Sequence, residues 1–179
     1  AYLGDDGHSN GVRMKISSWH RHDPNAMPTA AKGTGMYLNS GLAKIEALKA
    51  GYDEAILLGP DGRLSECSGE NLFIVRDGVI ITPPPSEAGA LAGITQNSIV
   101  TLARDLGYDV RFEAMVRTDL YLADEAFLTG TAAEVVPISS VDDRLVGNGK
   151  PGPITSQLQS TYFKIVRGEV PEYEHWLTV

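Results

Sequence analysis

The chain has 179 residues, 42% of them apolar and 21% charged, which is enough for one ordinary globular domain with a sizeable core. A net charge of −8 argues against nucleic acid or an anionic membrane surface as the main partner, because either needs a basic face. One cysteine, Cys67, rules out an internal disulfide, no apolar run approaches the length of a bilayer span, and a reducing cytoplasm is the expected setting.

The chain opens Ala1-Tyr2-Leu3-Gly4, without Met or a signal-like segment, so the gene product is expected to begin upstream. Residues 12–19 alternate Val12, Met14 and Ile16 with Arg13, Lys15 and Ser17, the period of a strand with one buried face, and Asp23-Pro24-Asn25 ends it. Over 36–50, Tyr37, Leu38, Leu42, Ile45 and Leu48 recur at helical spacing and Gly51 supplies the stop. Lys32 therefore falls in a glycine-containing loop just before a helix. Residues 54–58 read as a buried strand, followed by the turn Gly59-Pro60-Asp61-Gly62. A hairpin over 71–82 turns at Asp77-Gly78, which sets the 65–70 loop between sheet elements. Pro83-Pro84-Pro85 and Gly89 make an irregular link.

Thr95 reads as the N-cap of a helix to Leu106, with Ile99, Leu102, Ala103 and Leu106 on one face and Gly107 behind. A strand through Val110, Phe112 and Ala114, a short helix capped by Thr118 and a strand over 125–128 follow. Residues 129–133 form a small-residue turn into 135–138, residues 141–145 a last hairpin, and 154–166 a last amphipathic helix before Gly168. Hairpins mixed with single helices favour an α/β (mixed α+β) domain over a doubly wound sheet, with no internal boundary or repeat.

Four segments carry the chemistry. Lys32 in Pro28-Thr29-Ala30-Ala31-Lys32-Gly33 has little bulk around it, so its amine is reachable by a planar electrophile. A loop lysine taken alone is ordinarily just solvated, and the other segments decide against that reading. Ser65-Glu66-Cys67-Ser68-Gly69-Glu70-Asn71 holds two carboxyl groups, Glu66 and Glu70, in a small-residue turn between strands, an unusual place for unpaired acids. In Leu91-Ala92-Gly93-Ile94-Thr95, the amides of Ile94 and Thr95 open a helix and offer donors and a positive dipole end to an anion. Gly130-Thr131-Ala132-Ala133 lets backbone amides approach a ligand closely. His20 and His22 lack a third metal ligand, and no metal site is expected. Cys67 has no histidine partner in sequence and reads as a packed residue.

The order and spacing of these segments resemble the fold-type IV, or class IV, aminotransferases, and most closely the branched-chain amino acid aminotransferases, over nearly the whole chain. The resemblance implies a D-amino acid aminotransferase-like fold, here its C-terminal pseudo-barrel domain of mixed sheet with flanking helices, spanning residues 1–179. It implies pyridoxal 5'-phosphate as cofactor, with Lys32 as the Schiff-base lysine and proton shuttle and Tyr37 as the partner of the cofactor's phenolic oxygen. Glu66 takes the position that pairs with the pyridine nitrogen, a role suited to a buried carboxylate. Leu91 packs on the ring, Ile94, Thr95 and Thr131 hold the phosphate, Thr131 and Ala132 meet the substrate carboxylate, and Tyr2 lines the side-chain pocket. The family has Leu-Pro-Gly where this chain has Leu91-Ala92-Gly93, so the loop is expected to be less rigid.

The implied reaction transfers the amino group of leucine, isoleucine or valine to 2-oxoglutarate, so branched-chain amino acids and 2-oxo acids are the expected partners. D-amino acid aminotransferase and aminodeoxychorismate lyase share the lysine and glutamate, but Ser68-Gly69-Glu70-Asn71-Leu72-Phe73 and Gly130-Thr131-Ala132-Ala133-Glu134 favour the branched-chain group. The family's subunits also have a smaller N-terminal domain, and this chain begins about where that domain ends. An N-terminal domain, separate or cleaved, and a homodimer or larger homo-oligomer are therefore further expected partners; the remaining account is a lone domain that binds cofactor without turnover.

Overall fold

The computed structural model describes residues 3–177. A short helix, α1 (Gly4–Asn10), precedes β1 (Val12–His20), in which Val12, Met14 and Ile16 are buried and Arg13 is exposed, as the alternation predicts. A 3-10 turn (Thr34–Met36) leads into α2 (Tyr37–Lys49). The strands β2 (Glu54–Leu58) and β3 (Leu64–Cys67) flank the Gly59 turn, and β4 (Asn71–Arg76) and β5 (Val79–Thr82) form the expected hairpin. After α3 (Pro85–Ala88) come α4 (Ile94–Asp105), β6 (Val110–Phe112), α5 (Arg117–Tyr121), β7 (Glu125–Gly130), β8 (Glu134–Val141), β9 (Arg144–Leu145), α6 (Pro153–Val166) and a 3-10 segment (Pro171–Trp176).

The strands form one mixed sheet in the order β3-β2-β1-β8-β7-β4-β5-β6, with β9 paired to β8. β1 runs parallel to both β2 and β8, β5 runs parallel to β6, and the other pairs are antiparallel. This order dictates curvature. In a flat sheet β3 and β4 would lie five strand spacings apart, about 24 Å. Only residues 68–70 connect them, and the four steps from Cys67 to Asn71 reach at most about 14 Å. The sheet must therefore curl until its β3 edge approaches β4. The Cys67 amide donates to the Glu70 carbonyl across this seam at 2.8 Å.

Curling gives the strands two buried faces. Leu72 and Ile74 of β4, with Ala126 and Leu128 of β7, join Met14, Ile56 and Val136 inside the curl. Phe73, Val75 and Phe127 point the other way, onto Ile99 and Leu102 of α4 and Leu158 and Ile165 of α6. Phe73 and Phe127 are directly opposite in register and stack at 4.8 Å between centroids.

Three local expectations are corrected. The face of α2 against the sheet is made by Ala43 and Ala47, packed on Ala55 and Leu57, whereas Leu38 is 73% exposed, Ile45 51% and Leu48 53%. Small residues allow the helix axis to approach the strands, and polar groups beside them tie the helix to the end of β1: Asn39 donates to the His20 carbonyl and Ser40 accepts from Arg21. Thr95 lies inside α4, whose N-cap is Gly93 in extended conformation. The N-cap of α5 is Val116 rather than Thr118, and the Asp119 carboxylate accepts the Val116 amide at 2.8 Å. Among the described residues, no helix is long and apolar enough to cross a membrane.

Candidate active site

A cavity of about 280 Å³ opens beside the seam. Its walls come from the end of β1, the Lys32 loop, the start of α2, the β3–β4 link, the Leu91 loop with the first turn of α4, and the end of β7. Lys32, Tyr37, Glu66, Leu91, Ile94, Thr95 and Thr131, from four separate stretches of the sequence, all line it. Ala132 is an exposed turn residue one position beyond the lining, and Tyr2 lies outside the described residues.

Glu66 sits on β3, not in a loop, and is 5% exposed. Two groups hold its carboxyl. The Arg21 guanidinium reaches Oε1 at 2.6 Å, and the Leu91 amide donates to Oε2 at 2.9 Å. Arg21 is equally buried and also donates to the Ser40 hydroxyl of α2 at 3.1 Å. Burial pushes the Glu66 carboxyl up, against the pull of Arg21, the Leu91 amide and the nearby Lys32 ammonium. Burial pushes Glu70 up to about 8, reinforced by Glu54 and Glu66 and opposed by the Gly69 amide and Lys44.

Arg21 is the residue that sequence reasoning missed. In sequence it stands only between His20 and His22, yet among the described residues no group of histidine, cysteine or acidic side chains could hold a metal ion. Its role follows from strand order: β1 lies beside β2 and β2 beside β3, so the end of β1 comes within reach of Glu66. No local motif encodes that. Asn71 and Thr129 were missed too. Asn71 fixes the Leu91 loop by donating to its carbonyl at 2.8 Å, and a side chain at Gly93 would collide with the same amide.

The residues present fit pyridoxal phosphate. The cap of α4 uses no side chain, so the amides of Ile94 and Thr95 are open to an anion at a positive helix end. A carboxylate offers about four acceptor positions, and Glu66 has used two, leaving capacity for a ring N–H. The Thr129 hydroxyl, on the cavity wall, is buried without a protein partner. Lys32 stands exposed in a loop closed by short backbone bonds, with the Ala31 amide on the Pro28 carbonyl at 2.9 Å.

The profile of the family described as amino-transferase class IV matches residues 2–141. The chain is 53% identical over 171 residues to a probable branched-chain-amino-acid aminotransferase of Aquifex aeolicus, covering 95% of this chain and 55% of that protein. It is 48% identical over 177 residues to the branched-chain-amino-acid aminotransferase of Escherichia coli K12, covering 99% of this chain and 57% of that protein. The crystal structure of the Escherichia coli enzyme superposes with a TM-score of 0.92 at 48% identity, covering 95% of this chain and 56% of that one. The branched-chain aminotransferase of Thermoproteus uzoniensis with norvaline gives 0.93 at 46% identity, covering 98% and 58%. The chain thus spans a little over half the length of the relatives it matches.

Proposed function

The chain belongs to the class IV aminotransferase family, and from that premise we propose that it is the cofactor-binding C-terminal domain of a branched-chain-amino-acid transaminase, acting on leucine, isoleucine or valine with 2-oxoglutarate. The observation that carries the reading is the carboxyl of Glu66, fixed by Arg21 and Leu91 in the same cavity as Lys32.

Pyridoxal phosphate, when bound, supplies an electron sink that makes the α-proton of an amino acid labile. The chain's residues do the rest. Lys32 would hold the cofactor through Nζ, and its free amine would take up the α-proton of the substrate and return it to the cofactor carbon. Glu66 holds the ring nitrogen in its protonated form, and Arg21 holds Glu66. Tyr37 donates to the phenolic oxygen. The amides of Ile94 and Thr95, with the Thr95 hydroxyl and Thr131, would hold the phosphate, and Leu91 would pack on the ring. Thr131 with Ala132 would orient the substrate carboxylate, and the family resemblance assigns Tyr2 to the substrate side chain.

Borohydride reduction in the presence of pyridoxal phosphate, followed by peptide mass spectrometry, tests the reading. Label is expected on Lys32, and Lys32→Ala is expected to lose both label and transamination; turnover by that variant refutes the assignment. Branched L-amino acids, D-alanine and aromatic donors offered in parallel separate branched-chain transamination from D-amino acid aminotransferase or aminodeoxychorismate lyase chemistry. A second reading, cofactor binding without turnover, draws on the chain's partial length relative to its relatives, and predicts bound cofactor with no response to any donor. The outward leucine side of α2 supports a homo-oligomer, to be read by light scattering on the eluting protein.

A further inference from the structure

Three buried carboxyl groups meet two cations at the seam. Glu54 of β2 is 0% exposed, Glu66 of β3 is 5% and Glu70 of the β3–β4 link is 4%. Lys44 of α2 pairs with Glu54 at 2.6 Å, and Arg21 pairs with Glu66 at 2.6 Å. Each of these carboxyls also accepts a backbone amide, from Ala55 and from Leu91. Among the described residues, Glu70 accepts one amide, that of Gly69 on Oε2 at 3.2 Å. Yet Glu70 lines the cavity, under the end of β7, where a side chain added at Gly130 would meet its Cγ at 3.4 Å. A buried anion with so little support is costly, which favours keeping a proton on one of the three acids, with the exposed Lys32 as the further cation at the cavity.

We propose that Glu70 is that acid and a proton-linked positioning residue: its neutral carboxyl lets the cavity hold a phosphate-bearing pyridine, and its ionisation weakens that hold. This rests on the cofactor reading above. The charge argument is direct. Below the Glu70 pKa of about 8, set by burial and by the Glu54 and Glu66 carboxyls, the cavity wall carries no uncompensated anion. Above it, an ionised Glu70 stands in the same cavity as the bound anion, and the ligand enters together with a proton taken from solvent onto the Glu70 carboxylate. Cys67 and Lys44 also act on or beside Glu70; Arg21, Lys32 and Tyr37 line the same cavity; and Cys67 is buried with its thiol pushed well up, by burial first.

The probe is pyridoxamine 5'-phosphate, whose amine forms no covalent bond with Lys32. It is titrated calorimetrically into the purified protein near pH 7 and near pH 9, in buffers of unlike ionisation enthalpy. If only the Glu70-protonated form binds well, affinity falls about tenfold across this range, with proton uptake at the alkaline end. Glu70→Gln is expected to remove that part of the fall and the uptake; Lys32 and Tyr37, common to both proteins, cancel in the comparison. Equal pH dependence in wild type and variant overturns the proposal and leaves the cofactor reading standing. Binding at neither pH overturns both. Should the variant fail to fold, the infrared carbonyl band of a protonated carboxyl in the wild type decides: a band present near pH 7 and lost above about 8 supports the assignment, and its absence near pH 7 overturns it.

Discussion

Arg21→Met removes the cation from the buried pair with Glu66 while keeping most of the length of the side chain. Both side chains are only 7% exposed and lie 2.6 Å apart, so the abandoned carboxyl would keep the Leu91 amide and little access to water from the cavity. Breaking such a pair from one side costs about 3–5 kcal/mol. The penalty depends on pH with a definite sign. The Glu66 pKa is already raised in the folded wild type, and loss of Arg21 raises it further because burial then acts with less opposition. An acid raised above its unfolded value of about 4.5 withdraws stability as pH climbs from that value through the folded one. The variant's deficit should therefore be largest near pH 8 and shrink as pH falls. Below about 4.5 it should approach about 1 kcal/mol, the cost of the lost Ser40 hydrogen bond. Urea unfolding of wild type, Arg21→Met and the double variant Arg21→Met/Glu66→Gln measures this. The double variant, with no charge left to strand, should recover more than half of the deficit near pH 8. A pH-independent deficit, or no recovery in the double variant, refutes the buried-pair argument.

Glu125 of β7 closes the start of α6, with Oε1 accepting the Ile154 amide at 3.1 Å and Oε2 the Thr155 amide at 2.7 Å. Glu125→Ala should cost about 1–2 kcal/mol in urea unfolding, the range for a lost helix cap, and an unchanged midpoint would show that the cap contributes nothing. The Cys67 thiol is 0% exposed and its pKa stands well above the ordinary value, chiefly through burial. A thiol-specific disulfide reagent at pH 8 should label it only at the rate of local opening, so urea should accelerate the reaction steeply; immediate labelling of the native protein would contradict the packing.

Features written in adjacent residues were legible in the sequence. Asp77-Gly78 and Asp142-Asp143 take the positive φ values a tight hairpin needs, 51° and 76° for the first and 48° and 61° for the second, and both hairpins form where the turn residues predict. The alternation in β1 identified its buried side because that side meets the core of the curl. Periodicity failed on α2, since it reports that a helix has an apolar stripe and not which neighbour will cover it. Close approach to β1 and β2 selected Ala43 and Ala47 over the leucines. The caps of α4 and α5 were misread for a related reason: Thr95 and Thr118 have suitable side chains, but the chain enters each helix from Gly93 and from Val116.

The candidate site divides along the same line. Lys32, Glu66, Thr95 and Thr131 stand in recognisable segments because each must present a particular atom in a loop or at an element end. Arg21 stands in no such segment, because its requirement is set across three strands rather than along one. The curl makes the two kinds of requirement meet. Residues 68–70 are too few to cross a flat sheet, so β3 is drawn toward β4, and the acids at either end of that link, Glu66 and Glu70, are carried into the cavity together. Two acids brought this close cannot both ionise cheaply. Arg21 and the Leu91 amide support the charge on Glu66, the carboxyl proposed above to pair with a ring nitrogen, and leave Glu70 as the acid that burial drives toward neutrality. The shortness of the link thus brings both acids to one cavity, where Glu66 meets Arg21 and Glu70 does not.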